Sequence, residues 1–435
     1  MWNEELPLAI LADDLTGACD TACQFCRYGL QTVVTHFSRL NWEGSVRVLA
    51  VNTDSRKQGT TKAHQSIYTV SKQLIETGRI PVYKKIDSTL KGNWCSELSA
   101  LVKACLPDII LIAPALPIWG RTTENGIQQL NGHPVSELRT HHEGESDSGN
   151  CANLVEVLQQ HLGWRVKLIK RAAYRKGPEW IEQQILSHRS KGCQFLVLDA
   201  TNDEDLKNIC LGGCRLDQKV LWVGSAGLAR FLPLGWGYQP TKPVPSEEAF
   251  CPEIWPGKPV LLVIGSLNSS NLAQLEHLGT RRTLFILNLE AEDAEAGPVM
   301  QAKLSRAQQS LQRGLDVALN ICPRKPFHSR GHLQGLHDTL QFLSAKLIDS
   351  KQIGGLIIVG GDTAMKVYEK TGASGIRMIG EVQPGIPYGQ WIGGLLDNQP
   401  VVTKAGGFGQ ADTLTRATEF LRRFSNEFPR PEERL

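Results

Sequence analysis

The sequence has almost no surplus of charge of either sign. Its 435 residues include 47 basic and 44 acidic side chains, which gives a formal net charge of +3. Proteins that bind nucleic acids or anionic membranes through surface charge usually carry a clear excess of basic residues. We therefore expect neither a nucleic-acid partner nor a membrane partner.

Long apolar runs are also missing. No stretch approaches the roughly 18 consecutive apolar residues that suggest a membrane-spanning helix. The first residues, MWNEELPLAILADD, lack the basic segment and cleavage pattern of a secretory signal peptide. The 11 cysteines are odd in number and scattered, which favours reduced thiols. These absences predict a cytoplasmic protein.

Zinc-ligand patterns are lacking as well. Cys19, Cys23 and Cys26 are spaced to share one helix face, but no second pair of cysteines or histidines at zinc spacing accompanies them. We interpret them as small buried core residues and assign no residue to a resident metal.

Two common nucleotide-binding motifs are absent. No GxxxxGK followed by Ser or Thr occurs, which argues against a P-loop enzyme. No GxGxxG opens the first strand–helix unit, which argues against a Rossmann-type dehydrogenase. Any nucleotide chemistry must therefore use other loops.

What the sequence does have is an alternation of short apolar runs with amphipathic stretches. Runs such as LAILA, VRVLAVNT and GLIIVGG are rich in Val, Ile and Leu, as buried parallel strands are. Helical periodicity occupies segments such as 60–77, 152–161 and 335–350. The alternation predicts an α/β protein with mostly parallel, doubly wound sheets and flanking helices.

A proline-rich segment at 239–256 divides the chain. Proline at this density cannot continue a helix or a central strand, so the segment is predicted to be a linker. It separates a domain at 1–238 from a second domain at 257–435. We expect the active site in the cleft between these domains.

Polar or glycine-rich clusters follow many of the predicted strands. In open α/β sheets, ligands bind beyond the carboxyl ends of strands, so the clusters mark the functional side of each sheet. They are DDLTG, NTDSR, KKIDSTLKGN, APALPIWGRTTENG and GSAG in the first domain, and GSLNSS, GGDTA and KAGGFG in the second.

Two adjacent aspartates, Asp13 and Asp14, stand where the first strand ends and a helix begins. Asp14 alone is equally well explained as a helix cap, but two adjacent carboxylates exceed what one cap needs. A carboxylate at a strand end can orient or deprotonate a substrate hydroxyl. We take Asp14 as the first candidate for a catalytic base and Asp13 as the second.

A second cluster in the first domain suits an anion. Lysines and hydroxyl groups surround a carboxylate at 84–93, although a solvated basic turn would have a similar composition. Arg121 follows a stiff proline-containing loop and can grip a planar carboxylate, with an ordinary surface arginine as the alternative. The candidate substrate-binding residues are Lys85, Asp87, Ser88, Lys91, Asn93 and Arg121.

The second domain has features of a phosphate-binding fold. GGDTA leads from a strand into a helix, whose free amides and dipole attract anions. KAGGFG combines a lysine with glycines that let backbone amides approach phosphate closely. The candidate nucleotide-binding residues of these clusters are Gly361, Asp362, Thr363, Lys404, Gly406 and Gly407.

In their order, these clusters resemble the four-carbon acid sugar kinase family, whose members phosphorylate sugar acids such as threonate, erythronate and 3-oxo-tetronate. The resemblance runs along nearly the whole chain. It rests on LADDLTGACDTA, NTDSR, KKIDSTLKGN, APALPIWGRTTENG, VGSAGLAR, GGDTA, GEVQPGIPYG and VTKAGGFG. It implies a sugar-acid-binding first domain and a nucleotide-binding second domain, with ATP and Mg²⁺ as the phosphoryl donor.

Carried over by position, the resemblance implies ATP contacts at Ser266, at Gly361 to Ala364 and at Gly406. It implies sugar-acid contacts at Asp13, Asp14, Lys85, Asp87, Ser88, Lys91, Asn93 and Arg121. The predicted function is an ATP-dependent kinase that acts on a hydroxyl, expected to be the terminal one, of a small four-carbon sugar acid. A non-catalytic sensor that binds both ligands is the alternative, and a homodimer stays open.

Overall fold

The computed structural model describes residues 7–42, 46–138, 151–241, 258–290, 293, 298–322 and 330–426. The chain divides into two compact units, Met1–Thr241 and Lys242–Leu435. Residues 242–256 of the predicted linker lie outside the described part. The predicted domain limits therefore stay a prediction.

The first unit is built on a parallel sheet, with helices packed against it. The strands of this sheet, in the order in which they pair, are β2 (Thr32–His36), β3 (Val48–Asn52), β1 (Leu8–Ala12), β4 (Ile80–Lys85), β11 (Val220–Gly224), β5 (Ile109–Ala113), β10 (Phe195–Leu198) and β9 (Val166–Ile169). A small antiparallel sheet contains β6 (Arg121–Glu124), β7 (Ile127–Leu130) and β8 (His133–Pro134).

The helices of the first unit connect these strands in the way that the alternation predicted. They are α1 (Leu15–Cys26), α2 (Thr60–Glu76), α3 (Trp94–Cys105), α4 (Leu154–Leu162), α5 (Pro178–Ser190), α6 (Asp203–Gly213), α7 (Ala226–Ala229) and α8 (Leu232–Gly235). α2 illustrates why such segments form helices with one buried face. Its buried apolar residues recur at helical spacing on that face, and they are Ala63, Ile67, Val70 and Leu74. In α1, Cys19 and Cys23 are fully buried as predicted, whereas Cys26 is half-buried.

The second unit combines parallel strands with an antiparallel hairpin. Its strands, in pairing order, are β13 (Leu284–Leu289), β14 (Asp316–Ile321), β12 (Val260–Ile264), β15 (Gly355–Val359), β18 (Pro400–Lys404), β17 (Ile386–Ile392) and β16 (Gly375–Gln383). Its helices are α9 (Ser269–Arg281), α10 (Pro298–Gln312), α11 (Arg330–Asp349), α12 (Gly361–Thr371) and α13 (Thr413–Asn426).

One face of the second sheet carries a continuous apolar core. Val260, Leu262 and Ile264 alternate along β12 and contact side chains of α9 and α13. The alternating apolar side chains of the strand therefore pack against the apolar faces of the two helices on one side of the sheet. A doubly wound sheet buries its strands in this way.

The segment GEVQPGIPYG forms a hairpin between β16 and β17. The strands are antiparallel and turn at Pro384 and Gly385, whose φ is 75°. The N–H of Gly385 donates to Oε1 of Glu381 over 3.0 Å, which closes the turn. Proline and glycine therefore serve a tight turn here.

The prediction of a mostly parallel α/β fold with flanking helices is confirmed, while the cleft between the domains stays a prediction. Among the described residues, no helix combines the length and the apolar content that crossing a bilayer requires.

Candidate active site

Asp14 is the N-cap of α1. Its backbone is extended, with φ −143° and ψ 157°. Its Oδ1 accepts a hydrogen bond from the N–H of Gly17 over 3.1 Å, and its Oδ2 accepts one from the hydroxyl of Thr16 over 2.6 Å. The helix-cap interpretation is confirmed for Asp14. Its role as a base stays a prediction.

Asp13 is held by Arg56, a residue that sequence reasoning did not select. Nε of Arg56 donates to Oδ2 of Asp13 over 2.7 Å, and Nη2 donates to Oδ1 over 3.0 Å. This is the bidentate geometry that guanidinium and carboxylate groups favour. Burial raises the pKa of Asp13, but the charges of Arg56, Lys84 and Lys85 outweigh burial and hold the pKa below its ordinary value.

Arg56 also contacts two further carboxylates. Its Nη2 lies 2.9 Å from Oδ1 of Asp14 and 3.6 Å from Oδ2 of Asp87. Burial lowers the pKa of Arg56, but the neighbouring carboxylates more than compensate and raise it well above its ordinary value. One guanidinium therefore joins the clusters that follow β1, β3 and β4, neighbouring strands of the sheet.

A buried ion pair supports the loop that carries Arg56. Nζ of Lys84 lies 2.8 Å from Oε2 of Glu97 on α3, and the exposed fractions of the two side chains are 0% and 1%. Oε1 of Glu97 accepts a hydrogen bond from the hydroxyl of Ser55 over 2.5 Å. Burial raises the pKa of Glu97, Lys84 opposes that effect, and Asp13 adds to it. The pair fixes Ser55, the residue before Arg56.

Lys85 places a buried positive charge beside the start of α1. The residue is 5% exposed, and its charge acts on both Asp13 and Asp87. A Cβ atom on Gly17 would lie 3.0 Å from its Nζ, so glycine makes room for the ammonium group. The structure thus brings Lys85 into the cluster of aspartates.

Asp87 is the most exposed of the three carboxylates, with 22% of its side chain accessible. Its Oδ1 accepts hydrogen bonds from the N–H and the hydroxyl of Thr89, over 2.8 and 2.5 Å. Burial raises its pKa, but Arg56, Lys91 and Lys85 outweigh burial and hold the pKa well below its usual range. Asp87 is therefore ionised at neutral pH.

Arg121 lies within electrostatic range of Asp87. Burial lowers the pKa of Arg121, and the charge of Asp87 opposes that effect. Its Nη1 donates to the carbonyl oxygen of Trp119 over 2.5 Å. Arg121 is half-buried at the start of β6, and a contact between Arg121 and a substrate carboxylate stays a prediction.

Asn93 and Ser88 have structural contacts. The side-chain amide of Asn93 donates to the carbonyl oxygens of Ser55 and Gln58 over 3.0 and 2.8 Å, which ties the Arg56 loop to the start of α3. The carbonyl oxygen of Ser88 accepts from Nε2 of Gln128 over 2.7 Å. Substrate contacts by Asn93 and Ser88 stay predictions.

In the second unit, the loops after β12, β15 and β18 come together. A Cβ atom on Gly406 would collide with Oγ of Ser266, and one on Gly360 would lie 3.4 Å from Cβ of Ser266. The N–H of Gly360 donates to the carbonyl oxygen of Lys404 over 2.9 Å. Three clusters that are far apart in sequence therefore form one surface, because their strands are neighbours in the sheet.

The N-terminus of α12 lies on this surface. Its N-cap, Gly360, has φ 108° and ψ 138°, and no side chain caps the helix. That backbone conformation is accessible mainly to glycine. The first amides of the helix, in Gly361 and Asp362, therefore suit an anion. Thr363 and Ala364 are buried, and Thr363 packs closely against Gly265.

Lys404 is buried, with 1% of the residue exposed. Its Nζ donates to Oδ1 of Asn271 and to the carbonyl oxygen of Phe408, each over 2.8 Å. Burial lowers its pKa to about 7. The ammonium group is engaged by its own loop, and a direct contact between Lys404 and phosphate stays a prediction.

In comparisons with known proteins, each compact unit matches a family model of its own. The family model described as "Sugar-binding N-terminal domain" matches residues 8–232, and the model described as "Nucleotide-binding C-terminal domain" matches residues 261–414. The D-threonate kinase of Cupriavidus necator is 32% identical, covering 95% of this chain and 97% of the relative. The D-threonate kinase of Salmonella typhimurium is 29% identical, covering 96% and 98%.

A crystal structure of a Haemophilus influenzae protein shares the fold, with a TM-score of 0.71 and 23% identity over 95% of this chain and 100% of that chain. The first family model alone spans more than half of this chain, and the second follows it in the expected order. From this match and from the relative that is 32% identical over nearly its whole length, the chain belongs to the four-carbon acid sugar kinase family.

Proposed function

We propose that this protein transfers the terminal phosphoryl group of ATP, bound with Mg²⁺, to a hydroxyl of a four-carbon sugar acid, with D-threonate as the acceptor and its terminal hydroxyl as the site. The observation that carries the proposal is the cluster in which Arg56 joins Asp13, Asp14 and Asp87 beside the buried Lys85. The names of the D-threonate kinases among the relatives support the choice of acceptor.

The mixed charge of this cluster suits a sugar acid. A carboxylate ligand needs cationic donors, which Lys85, Lys91 and Arg121 supply. The hydroxyl groups of the same ligand need acceptors, which the aspartates supply. A ligand with a single carboxylate and several hydroxyls would use both kinds of group.

The surface of the second unit suits the triphosphate. It offers the uncapped N-terminus of α12 together with Gly406, which lies against Ser266, and Gly407, which lies near the side-chain amide of Asn268. Backbone amides of this kind bind phosphate without a P-loop. Mg²⁺ keeps several waters and binds through one or two carboxylates and the phosphates of its nucleotide, so the proposal requires no cage of protein ligands.

Asp14 is the first candidate for the group that orients the reacting hydroxyl. Its side chain is 10% exposed, against 3% for Asp13. Phosphoryl transfer passes through a loose transition state, and catalysis depends mainly on positioning and charge stabilisation. An ionised carboxylate can therefore serve by holding the hydroxyl, even if it accepts the proton late.

The proposal is tested by turnover. The purified protein is incubated with ATP, Mg²⁺ and a panel of four-carbon acids: D- and L-threonate, both erythronates and 3-oxo-tetronate. We expect ADP release with D-threonate and a new phosphate monoester in the ³¹P spectrum. If none of these acids is turned over, the proposed function is overturned. If the protein binds ATP and the sugar acid but transfers no phosphoryl group, the alternative of a non-catalytic sensor is favoured instead.

A further inference from the structure

Lys404 is an unusual lysine because its buried ammonium group faces uncharged oxygens. Besides Asn271 and Phe408, Nζ donates to the carbonyl oxygens of Ala405 and Gly406, each over 3.3 Å. Burying a charge is costly unless hydrogen bonds compensate. The compensation here comes from three carbonyl groups of one short loop, so the ammonium group and the shape of that loop depend on each other.

The same loop is tied to α9 by two further contacts. Oγ of Ser270 donates to the carbonyl oxygen of Gly406 over 3.4 Å, and Nε2 of Gln274 donates to that of Phe408 over 3.2 Å. Carbonyl oxygens repel phosphate. Because these carbonyls are drawn towards Lys404 and α9, they are removed from the contacts that a phosphate would make.

Lys404 also connects the loop to the start of α12. While its side chain holds residues 405–408, its carbonyl oxygen accepts the N–H of Gly360, the N-cap of that helix. One residue therefore controls both glycine clusters of the phosphate-binding surface. A lysine that reached out to phosphate would have to give up its contacts with the loop.

We propose that Lys404 is a positioning residue of the nucleotide site: its ammonium group holds residues 405–408 in the conformation that receives phosphate, and the loop loosens when that group loses its proton. This inference rests on the proposed nucleotide-binding function. It assigns to Lys404 the shaping of the site in place of a direct contact with the ligand.

The pKa of Lys404 lies in a range of pH where this role can be measured. Burial lowers the pKa of Lys404 to about 7, and the groups that face Nζ from α9 and from the loop are uncharged. Above that pH the neutral amine keeps two N–H donors and turns a lone pair towards a carbonyl oxygen. ATP affinity is therefore full below the pKa and falls as pH rises through it.

The test compares the wild type with Lys404→Met and Lys404→Gln. ATP dissociation constants are measured by calorimetry between pH 6 and pH 9, and hydrogen exchange of residues 405–409 is measured without nucleotide. At pH 6 we expect both variants to bind ATP about tenfold more weakly, the loss expected for hydrogen bonds to a charged group. We expect a flat pH profile in the variants, faster exchange in the loop and an unchanged KM for the sugar acid.

The matched control is Lys370→Met, in the last turn of α12, where the side chain is 43% exposed. It should leave ATP affinity and loop exchange as in the wild type. ATP affinities of the Lys404 variants within twofold of the wild type would overturn the proposal. Weak binding with unchanged loop exchange would also overturn it, because that pattern belongs to a direct phosphate contact.

A second variant keeps the test decisive if the Lys404 variants do not fold. Asn271→Ala removes one acceptor of the ammonium group and should speed exchange in the loop and weaken ATP binding in the same direction. Unchanged values for both would overturn the proposal. A wild type that binds no ATP at any pH is a separate result, because it overturns the proposed function itself.

Discussion

Asp13 and Asp14 are neighbours in the chain but have different surroundings. Asp14 completes the first turn of α1, and Asp13 is locked to Arg56 in a bidentate pair. The residue types and their place at a strand end could be recognised from sequence. The sequence made Asp14 a possible cap, but whether it caps α1 depended on the backbone angles at the start of the helix, which sequence pattern does not specify.

The variant Asp14→Asn keeps the helix cap and removes the negative charge, so it tests the two roles of Asp14 separately. Asn caps helices as well as Asp does, so the variant should keep its melting temperature. It loses the negative charge beside Arg56, and we expect kcat to fall by about 10²- to 10⁴-fold, as for the loss of a general base. Steady-state kinetics and thermal unfolding on the same preparations check both parts.

The companion variant is Asp14→Ala, which loses both functions and should also lose about 1 kcal/mol of stability. If Asp14→Asn keeps activity within a few fold of the wild type, Asp14 is a structural residue only. Asp13→Asn then becomes the variant to measure.

Arg56 should be sensitive even to a change that keeps its charge. Lysine keeps the charge but cannot form the bidentate pair with Asp13, so Arg56→Lys leaves the cluster poorly aligned. We expect kcat/KM for the sugar acid to fall by at least about tenfold, since hydrogen bonds between charged groups are worth roughly 1.5–3 kcal/mol. KM for ATP should change little. Arg171→Lys, in a half-exposed pair with Asp205, is the matched control and should behave as the wild type.

At the scale of elements, the strongly apolar strands could be predicted because parallel strands buried on both faces are continuously apolar. Apolar content did not predict the other strands, namely β16, β17 and the small sheet of β6 to β8. Their sequences mix glycine, proline and polar residues, and their stability comes from pairing with neighbours: β17 pairs with β18, and β6 pairs with β7. Pairing between segments is not visible in local periodicity.

Gly360 positions the first amides of α12 through its φ of 108°. Gly360→Ala should cost about 1–3 kcal/mol of stability and displace those amides, which weakens ATP binding. Gly372→Ala is a matched control at the other end of the helix, with φ 67° and open space around a Cβ atom.

We expect Gly372→Ala to lose stability while it keeps ATP affinity, measured by calorimetry. Equal ATP affinity in both variants would contradict a phosphate-binding role for the start of α12.

For the whole molecule, each compact unit carries one predicted site, and ligand stabilisation can separate them. A ligand that binds only the folded state raises stability by about 2.7 kcal/mol at 100 times its dissociation constant. We expect D-threonate and ATP with Mg²⁺ each to raise the melting temperature of the wild type. Arg56→Lys should show a clearly smaller shift with D-threonate and keep the shift with ATP. Loss of both shifts would contradict separate sites.

The sequence by itself determined the α/β fold class, the strand-end position of the polar and glycine-rich clusters and, through their order, the family. It could do so because burial, helical spacing and glycine turns leave local patterns. Only the tertiary structure decided which residues meet. It placed Arg56 among three aspartates and turned Lys404 inward to its own loop. The physical reason is that such contacts depend on which strands lie side by side and on where a buried charge finds its hydrogen-bond partners.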